Sequence, residues 1–161
     1  MDEILEVLVG NGRATPEEIA KLTGKNVAQV KKLISKYETD GTIVKYKAIL
    51  NTELIPERRS LVTALIEVCI DPQEDAGFDR VAERIYNFPE VTSCYLVSGD
   101  HDLLVVVEGD SLNTVADFIA SKLAPMAHVR STRTHFLLKK YKEDGQILKK
   151  GAGKKRLNIS Y

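Results

Sequence analysis

Between Asn26 and Glu38 every large apolar residue falls on one side of a helix and every lysine on the other. Val27, Val30, Leu33, Ile34 and Tyr37 stand at i, i+3, i+6, i+7 and i+10, the spacing of a buried helical stripe. Ala28, Gln29, Lys31, Lys32, Ser35 and Lys36 make up the opposite face. Asn26 is a good N-cap and Gly41 a good stop, so the helix is bounded at both ends. A stripe this narrow needs other helices to cover it.

The preceding residues supply two. Ile4, Leu5, Leu8 and Val9 recur at helical spacing before Gly10 and Gly12. Thr15-Pro16-Glu17-Glu18 then reads as a capping box with proline in the first turn. Ile19, Ala20 and Leu22 are the apolar residues of that second helix, which Thr23-Gly24 closes. Two helices joined by a short glycine-containing turn, the second basic outside, match the helix-turn-helix that reads duplex DNA. The start of the reading helix enters the major groove, which puts Lys25, Asn26, Ala28 and Gln29 against base edges, with Lys32 one turn on. Lys31, Lys36 and Lys45 are better placed for phosphates. Formal net charge is zero, so such binding would rest on where the charge sits. The competing reading is a three-helix bundle with an ordinary wet surface. After Gly41, Ile43-Val44-Lys45-Tyr46 and Ala48-Ile49-Leu50 read as a short extended pair, and residues 51–60, with Pro56 and Glu57-Arg58-Arg59, as a linker.

From residue 61 the apolar period becomes that of strands. Val62, Ala64, Ile66, Val68 and Ile70 alternate. A helix over 75–87 with Phe78, Val81, Ala82 and Ile85 inward comes next, then strands over 91–98 and 102–108. Ser111 caps a helix with Leu112, Val115, Ala116, Ile119 and Leu123 as its apolar set, and a strand over 128–139 follows. The order is βαββαβ, a split βαβ arrangement, so the whole chain is α+β. In 102–108, Leu103, Val105 and Val107 face one way and Leu104 and Val106 the other. Such a strand needs cover on both faces, and two helices cover one. A second subunit across a two-fold axis is the simplest cover for the other, so a homodimer is expected.

Ser98-Gly99-Asp100-His101-Asp102 is a turn with a glycine to admit a ligand and carboxylates to pair with an ammonium, which suits an amino acid. It is also an ordinary Gly-Asp turn. Enzyme patterns are missing: no HExxH, P-loop, GxGxxG or GxSxG occurs. His128 and His135, both read onto the last strand, point to opposite faces and share no metal site. Neither a metal nor another cofactor is expected. Cys69 and Cys94 form no CxxC and sit in apolar runs, as buried small hydrophobes would. No signal-peptide pattern opens the chain and no apolar stretch reaches membrane-spanning length, so the expectation is a cytoplasmic protein without membrane contact. From Lys139 a basic extension runs to the end. Lys139, Lys140, Lys142, Lys149, Lys150, Lys154, Lys155 and Arg156 stand against Glu143 and Asp144, a solvated charged face or an extra phosphate contact. Residues 157–161 alternate and could add a strand.

Taken in order, these segments resemble the Lrp/AsnC, or feast/famine, transcription regulators over nearly the whole chain. The matching pieces are Asp2 to Leu8, Asn11-Gly12-Arg13, Glu18-Ile19-Ala20-Lys21, Gly24 and the helix Asn26 to Glu38. Asp40-Gly41-Thr42-Ile43 leading to Tyr46, Val97 to Leu104 and the strand over 129–134 complete them. The resemblance implies a winged helix-turn-helix over 1–50 and a ferredoxin-like, ACT-like sensing domain over 61–140, with 141–161 as the basic extension. It also implies dimers that often assemble into octamers, and a small-molecule effector, commonly an amino acid, near the glycine–aspartate loop. Carried over, that nominates Gly99, Asp100, His101 and Asp102, with Thr132 and Thr134 from the last strand. His101 stands where the family more often has an aromatic residue. Two alternatives stay open: an enzyme resembling siroheme decarboxylases, with His101 or His135 at a tetrapyrrole, and a sensing or scaffolding module that binds no DNA.

Overall fold

The computed structural model of the protein describes residues 1–55, 61–71 and 77–148. Its contacts divide into two units, Met1–Leu50 and Asn51–Tyr161.

The first unit holds helices α1 (Glu3–Gly10), α2 (Pro16–Thr23) and α3 (Val27–Thr39). Each starts with a side chain that takes a backbone N–H the helix leaves unpaired. Asp2 accepts from Ile4 N at 3.0 Å, Thr15 from Glu18 N at 3.2 Å and Asn26 from Ala28 N at 2.8 Å. Glu18 returns the capping bond, accepting from Thr15 N at 2.8 Å. Ile4, Ile19, Ala20 and Val30 are buried at the centre, with Val7, Leu8, Val27, Leu33 and Ile34 packed around them. Two expected core residues lie outside: Val9 is 77% and Leu22 71% exposed. At 100° per residue Val9 is about 140° round α1 from Ile4, and Val7 and Leu8 flank Ile4 instead. In α2, Ile19 and Ala20 set the inward direction, which Thr23 shares and Leu22 does not. Thr23 Oγ1 donates to the Ile19 carbonyl at 2.8 Å.

Residues 44–50 are not paired as strands, against the extended pair expected there. Nothing in the first unit offers this segment a strand edge, and Val44, Ile49 and Leu50 remain exposed.

Tyr37 donates its hydroxyl hydrogen to Asp2, so the N-cap of α1 also grips the last turns of α3. Those bonds, the one from Tyr37 first, hold the Asp2 carboxyl below its usual value. A carboxyl depressed by folding contributes stability above its unfolded value, and that contribution is lost as pH falls through the folded one. Tyr37→Phe is therefore expected to lower the melting temperature near neutrality. It should also flatten the acid limb below about pH 4, read by circular dichroism. An acid limb equal to that of the parent protein would show that the pair adds nothing.

The second unit is a four-stranded antiparallel sheet in the order β2-β3-β1-β4, from β1 (Val62–Ile70), β2 (Val91–Leu96), β3 (Leu103–Gly109) and β4 (Val129–Phe136). Helices α4 (Asp79–Tyr86) and α5 (Leu112–Phe118) complete the βαββαβ order. Register sorts the faces. Ile66 lies opposite Val105 on one side and Thr134 on the other; Val68 lies opposite Leu103 and Thr132. That face is sealed by Val81 and Ile85 of α4 and by Val115, Phe118 and Leu123. On the reverse face Leu65 lies opposite Val106 and His135, and Glu67 opposite Leu104 and Arg133. Cys94 packs against the sealed core, where burial pushes its thiol up; Cys69 is half-buried on the reverse face.

Several boundaries differ from the sequence reading; β2 ends at Leu96 rather than 98 and β4 at Phe136 rather than 139. Helix α4 begins at Asp79 rather than 75, because Gly77 takes φ +52, off the helical path. Residues 72–76 lie outside the described residues. α5 runs on into a wider π-turn, Ile119–Leu123. The inward set is Val115, Phe118 and Leu123, with Leu112 and Ala116 exposed; the extra residue of the π-turn brings Leu123, five after Phe118, onto the inward side. His128 precedes β4 instead of lying within it, with φ +73. Past β4, β5 (Lys142–Glu143) and β6 (Gln146–Ile147) form a hairpin. Asp144 and Gly145 both have positive φ there, as a two-residue hairpin turn requires. The rest of the basic extension, including the possible strand over 157–161, lies outside the described residues.

Candidate functional site

The capping geometry at Asn26 fixes how α3 leaves the turn after α2. Its outward face carries Ala28, Gln29, Lys31, Lys32, Ser35 and Lys36, all exposed. Lys45 is exposed on the following segment. Several of these groups have jobs within the fold. Lys25 pairs with Glu3 at 2.6 Å, and that hydrogen bond raises the lysine above its ordinary value. Lys31 pairs with Glu17 at 3.2 Å. The Gln29 side-chain oxygen accepts from Asn26 N at 3.4 Å, a long bond that yields easily to a better donor. Among the described residues, Lys32 and Lys36 make no salt bridge. The acids that close α3 are turned to local bonds. Glu38 accepts from Tyr46 OH at 3.0 Å and Asp40 from Thr42 N at 3.0 Å. The uncommitted positive charge is thus centred on Lys32 and Lys36, with Gln29 beside it.

In the second unit, residues 97–102 join β2 to β3. Gly99 has φ +140, backbone that a side chain would strain. Asp102 anchors the loop: its carboxylate accepts from Ile70 N at 2.7 Å, and its own N–H donates to Val68 O at 3.0 Å. Val97 N donates to Asp102 O at 2.9 Å. Asp102 is therefore tied to the end of β1, while Gly99 and Asp100 stay exposed and His101 is half-buried. The Asp100 carbonyl accepts from the Cys69 thiol at 3.6 Å. Thr132 lies opposite Val68, at the same end of the sheet as the loop. Thr134 is two residues further along β4, opposite Ile66. Both threonines belong to the helix-covered face. The structure thus gathers Gly99 to Asp102 and Thr132 at one end and sets Thr134 nearer the middle.

One cluster escaped the sequence reading. On the reverse face Glu67 receives Arg133 at 3.5 Å and His135 at 3.1 Å. The cue was Glu67, the one charged residue in β1, a strand otherwise apolar but for Thr63. Among the described residues, no group of three or more His, Cys, Asp or Glu is placed to hold a metal, and no helix is long and apolar enough to cross a membrane.

A family described as the Lrp/AsnC ligand binding domain matches residues 63–147. The chain belongs to the Lrp/AsnC family. The HTH-type transcriptional regulator YugG of Bacillus subtilis is 46% identical over 158 residues, 98% of this chain and 95% of the relative. A transcriptional regulator from Neisseria meningitidis, NMB0573, solved in complex with L-Met, superposes with a TM-score of 0.67 at 28% identity. The match covers 88% of this chain and 89% of that one. The feast or famine regulatory protein Rv3291c of Mycobacterium tuberculosis, complexed with L-methionine, gives 0.66 at 26% identity. There the coverage is 91% and 95%. These relatives are regulators, so this Lrp/AsnC chain is a transcription regulator with a ligand domain and not an enzyme of the siroheme-decarboxylase kind.

Proposed function

We propose that this Lrp/AsnC regulator reads operator DNA with α3, pairs as a dimer through the reverse face of its sheet, and answers to an amino acid held by the loop over 98–102. The observation that carries the reading is the outward row Gln29, Lys32 and Lys36 on a helix whose other face is packed. Gln29 suits an adenine edge, Lys32 a guanine, and Lys31, Lys36 and Lys45 the flanking phosphates. A dimer of such units fits near-palindromic half-sites about one helical turn apart, roughly 34 Å. The methionine complexes of the two solved relatives support an amino acid as effector, and the exposed Gly99 and Asp100 offer backbone and carboxylate to it. The effector acts only as far as it binds one assembly state better than another. DNA access puts the protein in the cytoplasm.

Selection of bound duplexes from a random library, repeated with each amino acid added, tests both ends together. An enriched two-fold motif is expected, with affinity or spacing altered by at least one amino acid. No enriched motif under any condition would leave a module that does not read DNA. Gln29→Ala is expected to lose about 1–3 kcal/mol of discrimination at one base position of the motif. A loss spread evenly over all sequences would show that Gln29 reads no base.

A further inference from the structure

We propose that a cleft between α4 and the turn before β4 binds the phosphate group of a small organic phosphate, a mononucleotide being a suitable size. The cleft measures about 410 Å³ and is lined by Arg80, Val81, Arg84 and His128. Val81 and Ile85 are buried in the core, which fixes the rotation of α4. Arg80 and Arg84, one turn apart, therefore share a flank of the helix, and both are exposed. Two like charges at this spacing repel, and neither arginine makes a salt bridge to a described residue. Asp79 and Glu83, the acids of the same helix, do not line the cleft. Arg130 nearby is engaged with Asp71 at 4.0 Å.

His128 sits in the turn before β4 with φ +73, the left-handed region that histidine, like asparagine, takes more readily than most residues. Its backbone is held there by Asp71 N, which donates to His128 O at 2.9 Å. The turn places His128 in the lining of the cleft.

The donor set selects the ligand's chemistry. Two planar guanidinium forks exceed what one carboxylate, with two oxygens and one charge, can satisfy. A phosphate monoester offers three terminal oxygens and up to two charges. The volume selects the rest: a bare ion needs little more room than a water, about 30 Å³, whereas the cleft falls in the range of small-molecule sites. No lining residue belongs to the loop over 98–102, so the cleft is separate from the proposed amino-acid site.

The test is calorimetric titration of the full chain with AMP and with inorganic phosphate, in buffer free of other oxyanions. Saturable AMP binding is expected, with phosphate competing more weakly. R80A/R84A should weaken AMP at least tenfold at unchanged melting temperature. R80K/R84K, which keeps the charge and removes the forks, should fall between. The His128 ring protons should shift in the NMR spectrum on adding AMP to the parent protein and not to the double alanine variant. Absence of binding at millimolar AMP, or equal AMP affinity in parent and R80A/R84A, would overturn the proposal. Equal affinity for AMP and inorganic phosphate would overturn its organic part and leave a free-phosphate site. If R80A/R84A melts early, R80Q/R84Q replaces it with the same readouts.

Discussion

Val106→Asp is expected to convert the proposed dimer to monomers while the second unit stays folded. Val106 lies on the reverse face, opposite Leu65 and Ser93, beside Leu104. All four are half-buried in the single chain, so the face is neither sealed core nor ordinary wet surface. In a monomer a carboxylate here reaches water at little cost. In a face-to-face pair it is trapped twice, once on each subunit, and an unpaired buried charge costs several kcal/mol, roughly 3–5 per site. At 1.4 kcal/mol per factor of ten, the dimer Kd should rise by at least about a thousandfold. Sedimentation at micromolar concentration reads this directly. Operator affinity should fall with it, since a lone helix-turn-helix holds one half-site. A variant that remains dimeric would mean that the pairing surface lies elsewhere. A parent protein that is itself monomeric would remove the dimer reading altogether.

That the helices leave one face of β3 uncovered was legible in Leu103 to Val107, because a strand apolar on both faces cannot hide its second side behind two helices packed on the first. The Glu67–Arg133–His135 cluster on the same face was not legible. Glu67 reads locally as one acid in an apolar strand, and its partners sit more than sixty residues away, brought opposite only by the β1–β4 register. Helix starts were readable at the caps Thr15, Asn26 and Ser111, while the cap at Asp2, whose carboxylate also takes the Tyr37 hydroxyl from α3, was not read. The start of α4 was misplaced, since Phe78 forms no side-chain cap bond and left no mark. In α5 the expected Val115 and Leu123 are inward, but Phe118, which the reading left out, is buried with them, and Leu112 and Ala116 on the neighbouring flank are exposed. The hairpin after β4 was encoded plainly by Asp144-Gly145 and hidden only by the surrounding lysines.

For the site, sequence could place a residue on a face but not say what else it does there. Asp102 shows the difference. Its residue type and loop suit an ammonium partner, yet its carboxylate already accepts from Ile70 N at 2.7 Å. Lys25 likewise suits a base edge and is paired with Glu3 at 2.6 Å. Competition of this kind depends on geometry across two or three elements, which no local pattern carries.

Removing three lysines together, Lys31→Ala, Lys36→Ala and Lys45→Ala, should flatten the salt dependence of operator binding. Each phosphate neutralised contributes a slope of about −0.9 in log affinity against log salt. Three contacts on each of two subunits would thus take roughly 5 units from the slope. At low salt the affinity loss should reach several powers of ten, and it should narrow as salt rises, because the parent protein loses the same contacts to screening. Lys31 qualifies the estimate: releasing Glu17, now at 3.2 Å, leaves an acid near the duplex, so its removal should cost more than that of Lys45. Base preference should persist, since Gln29 and Lys32 are untouched. The measurement is a set of fluorescence-anisotropy titrations between 50 and 200 mM salt on the selected operator and on a scrambled duplex. An unchanged slope would place these lysines away from phosphate. A lost preference with the slope intact would mean that they read bases, reversing the roles assigned on the two sides of α3.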